Sequence, residues 1–241
     1  MYLKFNASLC KKAIKGLLLA LAILSIHTTV NAQHHSNGGL TYGGGSNGYG
    51  GDSEWGISLM AGYDVPTADL ATTYKAAPTF GISLIRNLGN FTFNATIGYV
   101  SYQPKLDTFY VDASDQSQGY IHYGNYSSIE FYAGAAYNIQ VADGAKLYFG
   151  LNIGTYYTHL AYDSNDGSGD ENDADGYNEA SYVAPKIGVN FMISDNMSLG
   201  VEGKYNFQLS SSSGTGDAYD SGYSTTVEKS FSGNVVLTYN F

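Results

Sequence analysis

The sequence predicts an all-β fold: an eight-stranded antiparallel transmembrane β-barrel with up-and-down meander order. Three observations carry this. From residue 54 onward, runs in which apolar and polar residues alternate recur eight times; the connections between them alternate long and short; and aromatics recur eight residues apart on the apolar face, as Trp55/Tyr63, Phe91/Tyr99, Phe149/Tyr157 and Phe231/Tyr239. Successive side chains of a strand point to opposite faces, so each run separates two different environments. Alternation alone also suits a two-layer sandwich. Short turns at one end and long loops at the other suit a membrane barrel with both termini on the periplasmic side. Eight residues at a rise of ~3.3 Å, tilted by roughly 40°, climb about 20 Å, close to the apolar band between two aromatic girdles.

The elements follow in chain order. Residues 1–32 read as a signal peptide: Lys4, Lys11, Lys12 and Lys15 form a basic front, residues 16–26 an apolar core, and Val30-Asn31-Ala32 a small-residue cleavage site. The core is too short to span a ~30 Å hydrocarbon layer, which takes about twenty residues. The single cysteine, Cys10, precedes the apolar core, where a lipoprotein cysteine would follow it, so the exported chain carries no disulfide. Residues 33–53 are rich in Gly, Ser and Asn and read as a flexible tail. The barrel domain, 54–241, comprises runs at about 54–64, 79–87, 91–103, 126–139, 145–159, 180–193, 197–209 and 224–241.

Three runs show the pattern plainly. In the third, Phe91, Phe93, Ala95, Ile97 and Tyr99 oppose Thr92, Asn94, Thr96 and Gly98; in the fifth, Leu147, Phe149, Leu151, Ile153 and Tyr157 oppose Tyr148, Gly150, Asn152 and Gly154. The seventh sets Met197, Leu199, Val201, Tyr205 and Phe207 against Ser198, Gly200, Glu202, Lys204 and Asn206. Small polar residues suit the crowded interior of a narrow barrel. In the last run, VVLTYNF places Phe241, Tyr239, Leu237 and Val235 on the apolar face, with Val236 the exception opposite. The closing strand must pair with the first, since an open edge in lipid leaves backbone groups unsatisfied. Pro185 in the sixth run removes a ladder hydrogen bond and predicts a bulge.

On the stretches YSSIEFYAGAAYNI (126–139), KLYFGLNIGTYY (146–157), YVAPKIGVNFMISDNMSLGVEGKYNF (182–207) and the terminal VVLTYNF, the chain resembles the small OmpA/OmpX-like outer-membrane β-barrels, the porin family in loose usage. The resemblance covers about 54–241 and concerns architecture and compartment, not chemistry. It implies insertion in the bacterial outer membrane among its lipid and lipopolysaccharide. It also implies that Tyr239 and Phe241 resemble the closing-strand signal read by the barrel assembly machinery.

The charged residues narrow the function. A formal net charge of −10, made more acidic once the four lysines of the front end are removed, leaves no basic patch for nucleic acid. Glu130, Lys186, Glu202, Lys204 and Glu228 fall on the polar face and read as ion-pair candidates in the lumen, because buried charges are tolerated when paired. A gated polar path is the functional alternative.

Thirteen acidic residues fall in the long loops, against Lys75 and Lys105. Within 163–176, Glu171, Asp173, Asp175 and Gly176 mimic part of a calcium-loop spacing, although Tyr182 stands where a bidentate Glu belongs. A solvated loop is the plain reading, and a weakly bound Ca²⁺ the metal reading; no other cofactor is implied. Tyr74, Tyr110, Tyr120, Tyr123, Tyr162, Tyr177, Tyr219 and Tyr223 in the loops suit either a contact surface or packing on one another. His122 and His159 near the rim, with Asp163, Ser127 and Ser128, define no nucleophile–base–orienter set, so no catalytic residue is assigned. The expectation is a non-enzymatic barrel displaying acidic, Tyr-rich loops for surface interaction, adhesion and envelope integrity, with an extracellular surface partner. The alternative is a narrow porin-like conduit for small solutes.

Overall fold

The computed structural model describes residues 54–241 apart from Asp69, Asp107, 111–118, 166–170 and 212–228; the side chains of Glu54, 171–175 and 210–211 are also outside the description. The signal and tail segments (1–32 and 33–53) therefore lie outside the described residues, as do Glu228, Tyr219 and Tyr223.

The described residues form ten strands and one short helix: β1 Glu54–Thr67, α1 Leu70–Thr73, β2 Ala77–Leu88, β3 Phe91–Tyr102, β4 Thr108–Tyr110, β5 Tyr120–Tyr123, β6 Tyr126–Ala142, β7 Ala145–Asn165, β8 Glu171–Met192, β9 Met197–Ser211 and β10 Lys229–Asn240. Eight of them close a ring in the order β1-β2-β3-β6-β7-β8-β9-β10, every neighbour antiparallel and β10 paired back on β1. Closure removes the edge that a membrane would not tolerate. At the seam Gly56 faces Asn240, and the Phe241 N–H donates to the Trp55 carbonyl at 2.8 Å.

Short hairpins join the strands at one end. Gly89 and Gly144 take the left-handed backbone these turns need, with φ of 57° and 74°, and a register shift between Gln140 and Ala142 accompanies the second. Between the two aromatic girdles the outward side chains are apolar and exposed, including Leu59, Ile82, Ile153, Val201 and Leu237. Phe91, Tyr137 and Phe149 ring the short-turn end in contact, while Phe131 and Tyr157 meet near the other. Among the described residues Tyr63 and Phe241 are the most exposed aromatics, at 62% and 63%. No described helix is long and apolar enough to cross a membrane; the strands cross it.

The structure corrects the expected loops. Residues 160–179 are largely strand, because β7 and β8 pair continuously from Ala145↔Phe191 to Asn165↔Glu171. Residues 104–125 contain the β4–β5 hairpin, and β5 continues onto β7 from Tyr123↔Tyr162 to Tyr120↔Asn165. Gly124 lets the chain pass close to β7 there, its N–H donating to the Ala161 carbonyl at 2.8 Å. A membrane strand needs about ten residues, so roughly the outer half of β7 and β8 stands clear of the membrane. Backbone groups in that stretch bond to a neighbouring strand, although its Asp/Asn/Gly-rich sequence hides the alternation.

The proline expectation is corrected too. Pairing of β8 with β9 lapses at Ala184 and Pro185, yet the register is the same on both sides of the gap; the shift falls between Ser181 and Tyr182. Pro185 removes a donor without adding a residue, so the ladder skips and resumes.

Candidate functional site

Inward side chains divide the barrel into three zones. Long residues lean over cross-strand glycines: a Cβ on Gly134 would strike the Asn152 side chain, one on Gly154 the Tyr132 backbone and Cβ, and one on Gly188 the Tyr148 ring. Glycine at these positions makes room for the partner rather than for an unusual backbone.

The central zone is closed. Tyr132, Tyr156, Tyr182, Ala180 and Ala184 form a buried cluster, with Tyr156 and Tyr182 stacked at 5.2 Å. Lys204 Nζ donates to Glu130 Oε2 at 3.0 Å and lies 4.8 Å from the Tyr132 ring centroid. Lys186 Nζ donates to Asn94 Oδ1 at 3.0 Å and stands 3.6 Å from Glu202 Oε2, which also accepts from the Tyr148 hydroxyl at 3.1 Å. Four of the five charges picked out in the sequence thus meet as two pairs; Glu228 lies outside the described residues.

Above this layer sits a charge that the sequence reading missed. Asp64 is 1% exposed and accepts hydrogen bonds from Tyr102 (2.5 Å), Ser230 (3.1 Å), Asn206 (3.3 Å) and Ser232. One carboxylate therefore ties β1, β3, β9 and β10 together. Its signal was parity: Gly56, Ser58, Met60 and Gly62 precede it on the inward face. Arg86 was missed as well; it is buried on the outward side, 5.3 Å from the Trp55 ring centroid in the short-turn half. Of the mid-barrel tyrosines Tyr132, Tyr148, Tyr156 and Tyr182, the alternation named above sets only Tyr148 on the inner face.

At the long-loop end, Tyr74, Ala77, Val100, Tyr102, Tyr126 and Leu160 form a second buried cluster, with Leu70 of α1 packed against it. Tyr74 meets Tyr126 at 5.4 Å and Tyr123 at 6.5 Å, and Tyr123 meets Tyr162 at 6.3 Å. Several loop tyrosines thus pack on one another, whereas Tyr110 and Tyr177 remain exposed.

The inner zone is hollow. A cavity of about 260 Å³ runs from the short-turn rim, at Gly89, Gly144 and Asn240, to Lys186, Glu202 and Tyr132 at mid-barrel. Beyond the tyrosine layer lies a void of about 20 Å³, between Glu130 and Ser230.

The acidic stretch takes a different form from the one its spacing suggests. Glu171, Asp173 and Asp175 have strand backbone, with Asp173 opposite Asp163. Alternate residues of a strand sit roughly 7 Å apart, so these three do not wrap a single ion as a calcium loop does. Their side chains lie outside the described residues, and no group of three or more metal-ligating side chains occurs among the described ones. The rim histidines fall on different strands: His122, opposite Asp163 in register, is 3.5 Å from Thr108, and His159, opposite Ser127, packs at a tilt on Tyr177 with ring centroids 4.9 Å apart. Ser127 bonds to Ser101 at 2.8 Å and Ser128 to Thr158 at 2.9 Å.

No protein-family profile matches the chain, and no curated protein sequence is significantly similar. Among solved structures, Neisserial surface protein A is 11% identical with a TM-score of 0.49, over 79% of this chain and 100% of that one. Ail, the attachment invasion locus protein of Yersinia pestis, is 12% identical with a TM-score of 0.44, over 79% and 99%. A major outer membrane protein from Thermus thermophilus is 10% identical with a TM-score of 0.44, over 78% and 99%. Independently of these likenesses, the closed meander, the apolar belt between aromatic girdles and the polar packed lumen make this chain an eight-stranded transmembrane β-barrel of the outer-membrane type.

Proposed function

We propose that the protein is a non-enzymatic barrel of the bacterial outer membrane, its termini periplasmic, that presents a rigid platform for contact with an extracellular surface partner. The observation that carries this reading is the sheet β4-β5-β7-β8, which continues past the outer girdle and is rooted in the barrel wall. Rigid scaffolds that hold exposed segments are the usual architecture of recognition surfaces. Exposed Tyr110 and Tyr177 supply contact area, and the surrounding acidic residues supply charge. The lipid and lipopolysaccharide around the belt, and an assembly machinery that reads Tyr239 and Phe241, are part of the same proposal. Divalent cations belong to it as bridges between facing strands, since Asp163 and Asp173 are opposite in strand register.

The second reading, a narrow conduit, is favoured by the inner cavity and opposed by the tyrosine layer above it. Single-channel recording of the refolded protein, with a heat-shift gel to establish folding, separates the two. A folded, silent barrel supports presentation, and adhesion to host or bacterial surfaces should then fall when residues 104–125 and 160–179 are replaced by short turns. Discrete openings in the unaltered protein would transfer the function to the lumen.

A further inference from the structure

We infer that the inner cavity is a binding site for a small zwitterion, a solute of amino-acid size carrying one cationic and one anionic group. The two ion pairs of the lumen are not equivalent. Lys204 and Glu130 sit at 3.0 Å and neither lines the inner cavity. Lys186 and Glu202 sit at a looser 3.6 Å, and both line its blind end. A solute reaching that end from the short-turn rim therefore meets a cation and an anion side by side.

The chemistry of the wall selects among solutes. A simple anion at Lys186 is repelled by Glu202 beside it, and a simple cation at Glu202 is repelled by Lys186. A dipolar solute compensates both. Around the pair, Tyr148, Asn94 and Asn190 offer polar atoms, and the Asn190 Oδ1 is buried with no hydrogen-bond partner. Met60, Ile85 and Val236 give an apolar wall for a short carbon skeleton. Val236, the one apolar residue on the inward face of the closing strand, thereby has a place. The cavity, about 260 Å³, has room for such a solute. This site does not depend on the surface role above, and it requires no passage through the barrel.

The test is a titration of the refolded full barrel in detergent micelles by ¹H–¹⁵N NMR. Glycine betaine and L-proline serve as zwitterionic probes, and sodium acetate and tetramethylammonium chloride as single-charge controls. The expected result is saturable millimolar shifts of the Asn94, Lys186, Asn190 and Glu202 amides with at least one zwitterion, and at least tenfold weaker response to both controls. Replacing the pair together, Lys186→Met with Glu202→Gln, removes both charges and leaves neither unpaired; in a variant that still shows the folded heat-shift, the response should be lost. If the folded double variant responds as the parent does, if acetate matches the zwitterions, or if both zwitterions leave the spectrum unchanged at saturation, the assignment is overturned.

Discussion

Lys204 and Glu130 reach across the barrel from β9 and β6 and meet at 3.0 Å, beside the ring of Tyr132. Their value lies in being together. The gain of such a pair over well-packed apolar residues is small or negative, whereas an unpaired buried charge is costly. Lys204→Met is therefore expected to destabilise the barrel by about 3–5 kcal/mol. The double variant Lys204→Met with Glu130→Gln should recover most of that loss. Urea midpoints read from heat-shift gels check both, and equal losses in the two variants would contradict the pairing.

Two glycines make an internal contrast. Gly134 faces inward, where an added methyl meets the Asn152 side chain and the Leu151 carbonyl; Gly233 faces outward with nothing within 4 Å. Gly134→Ala should destabilise by about 1–3 kcal/mol through overpacking. Gly233→Ala should be neutral or slightly stabilising, because it restricts the unfolded chain without a clash. Similar unfolding midpoints for the two variants would show that the lumen relaxes more readily than its packing implies.

Phe241 packs on Tyr239 at 6.5 Å between ring centroids, but most of its surface is exposed. Phe241→Ala should change the unfolding midpoint little and slow insertion catalysed by reconstituted assembly machinery severalfold. A large loss of stability with normal insertion would make the residue an anchor and not a signal.

Asp163 and Asp173 stand opposite each other in the strand register of the outer hairpin, an arrangement in which like charges are unfavourable. Millimolar calcium is expected to release heat in calorimetry and to protect residues 160–179 from proteolysis, with magnesium weaker. A flat titration would remove cations from the surface role.

Most of the barrel was legible in the residues themselves. Period-two alternation reports directly on lipid at one face and packed polar groups at the other, so the β3, β7 and β9 faces could be written down from composition alone. Less legible was the part above the membrane. There water replaces lipid on the outer face, alternation loses its meaning, and β4, β5 and the outer halves of β7 and β8 read as loop.

The sequence by itself determined that the chain folds as a barrel, that its fourth, sixth and seventh predicted strands carry charges inward, and that its closing strand ends on lipid-facing aromatics. Strand parity is a local property and needs no partner. Only the tertiary structure decided which charges meet. Lys204 lies opposite Ser232 and Lys186 in strand register, yet its amine bonds to Glu130 across the lumen. That choice depends on the height at which each strand crosses the barrel, and the shear set by closure fixes that height for all eight together. The same closure gathers Asp64 with Tyr102, Asn206, Ser230 and Ser232 from four strands, a meeting that no single strand's pattern contains.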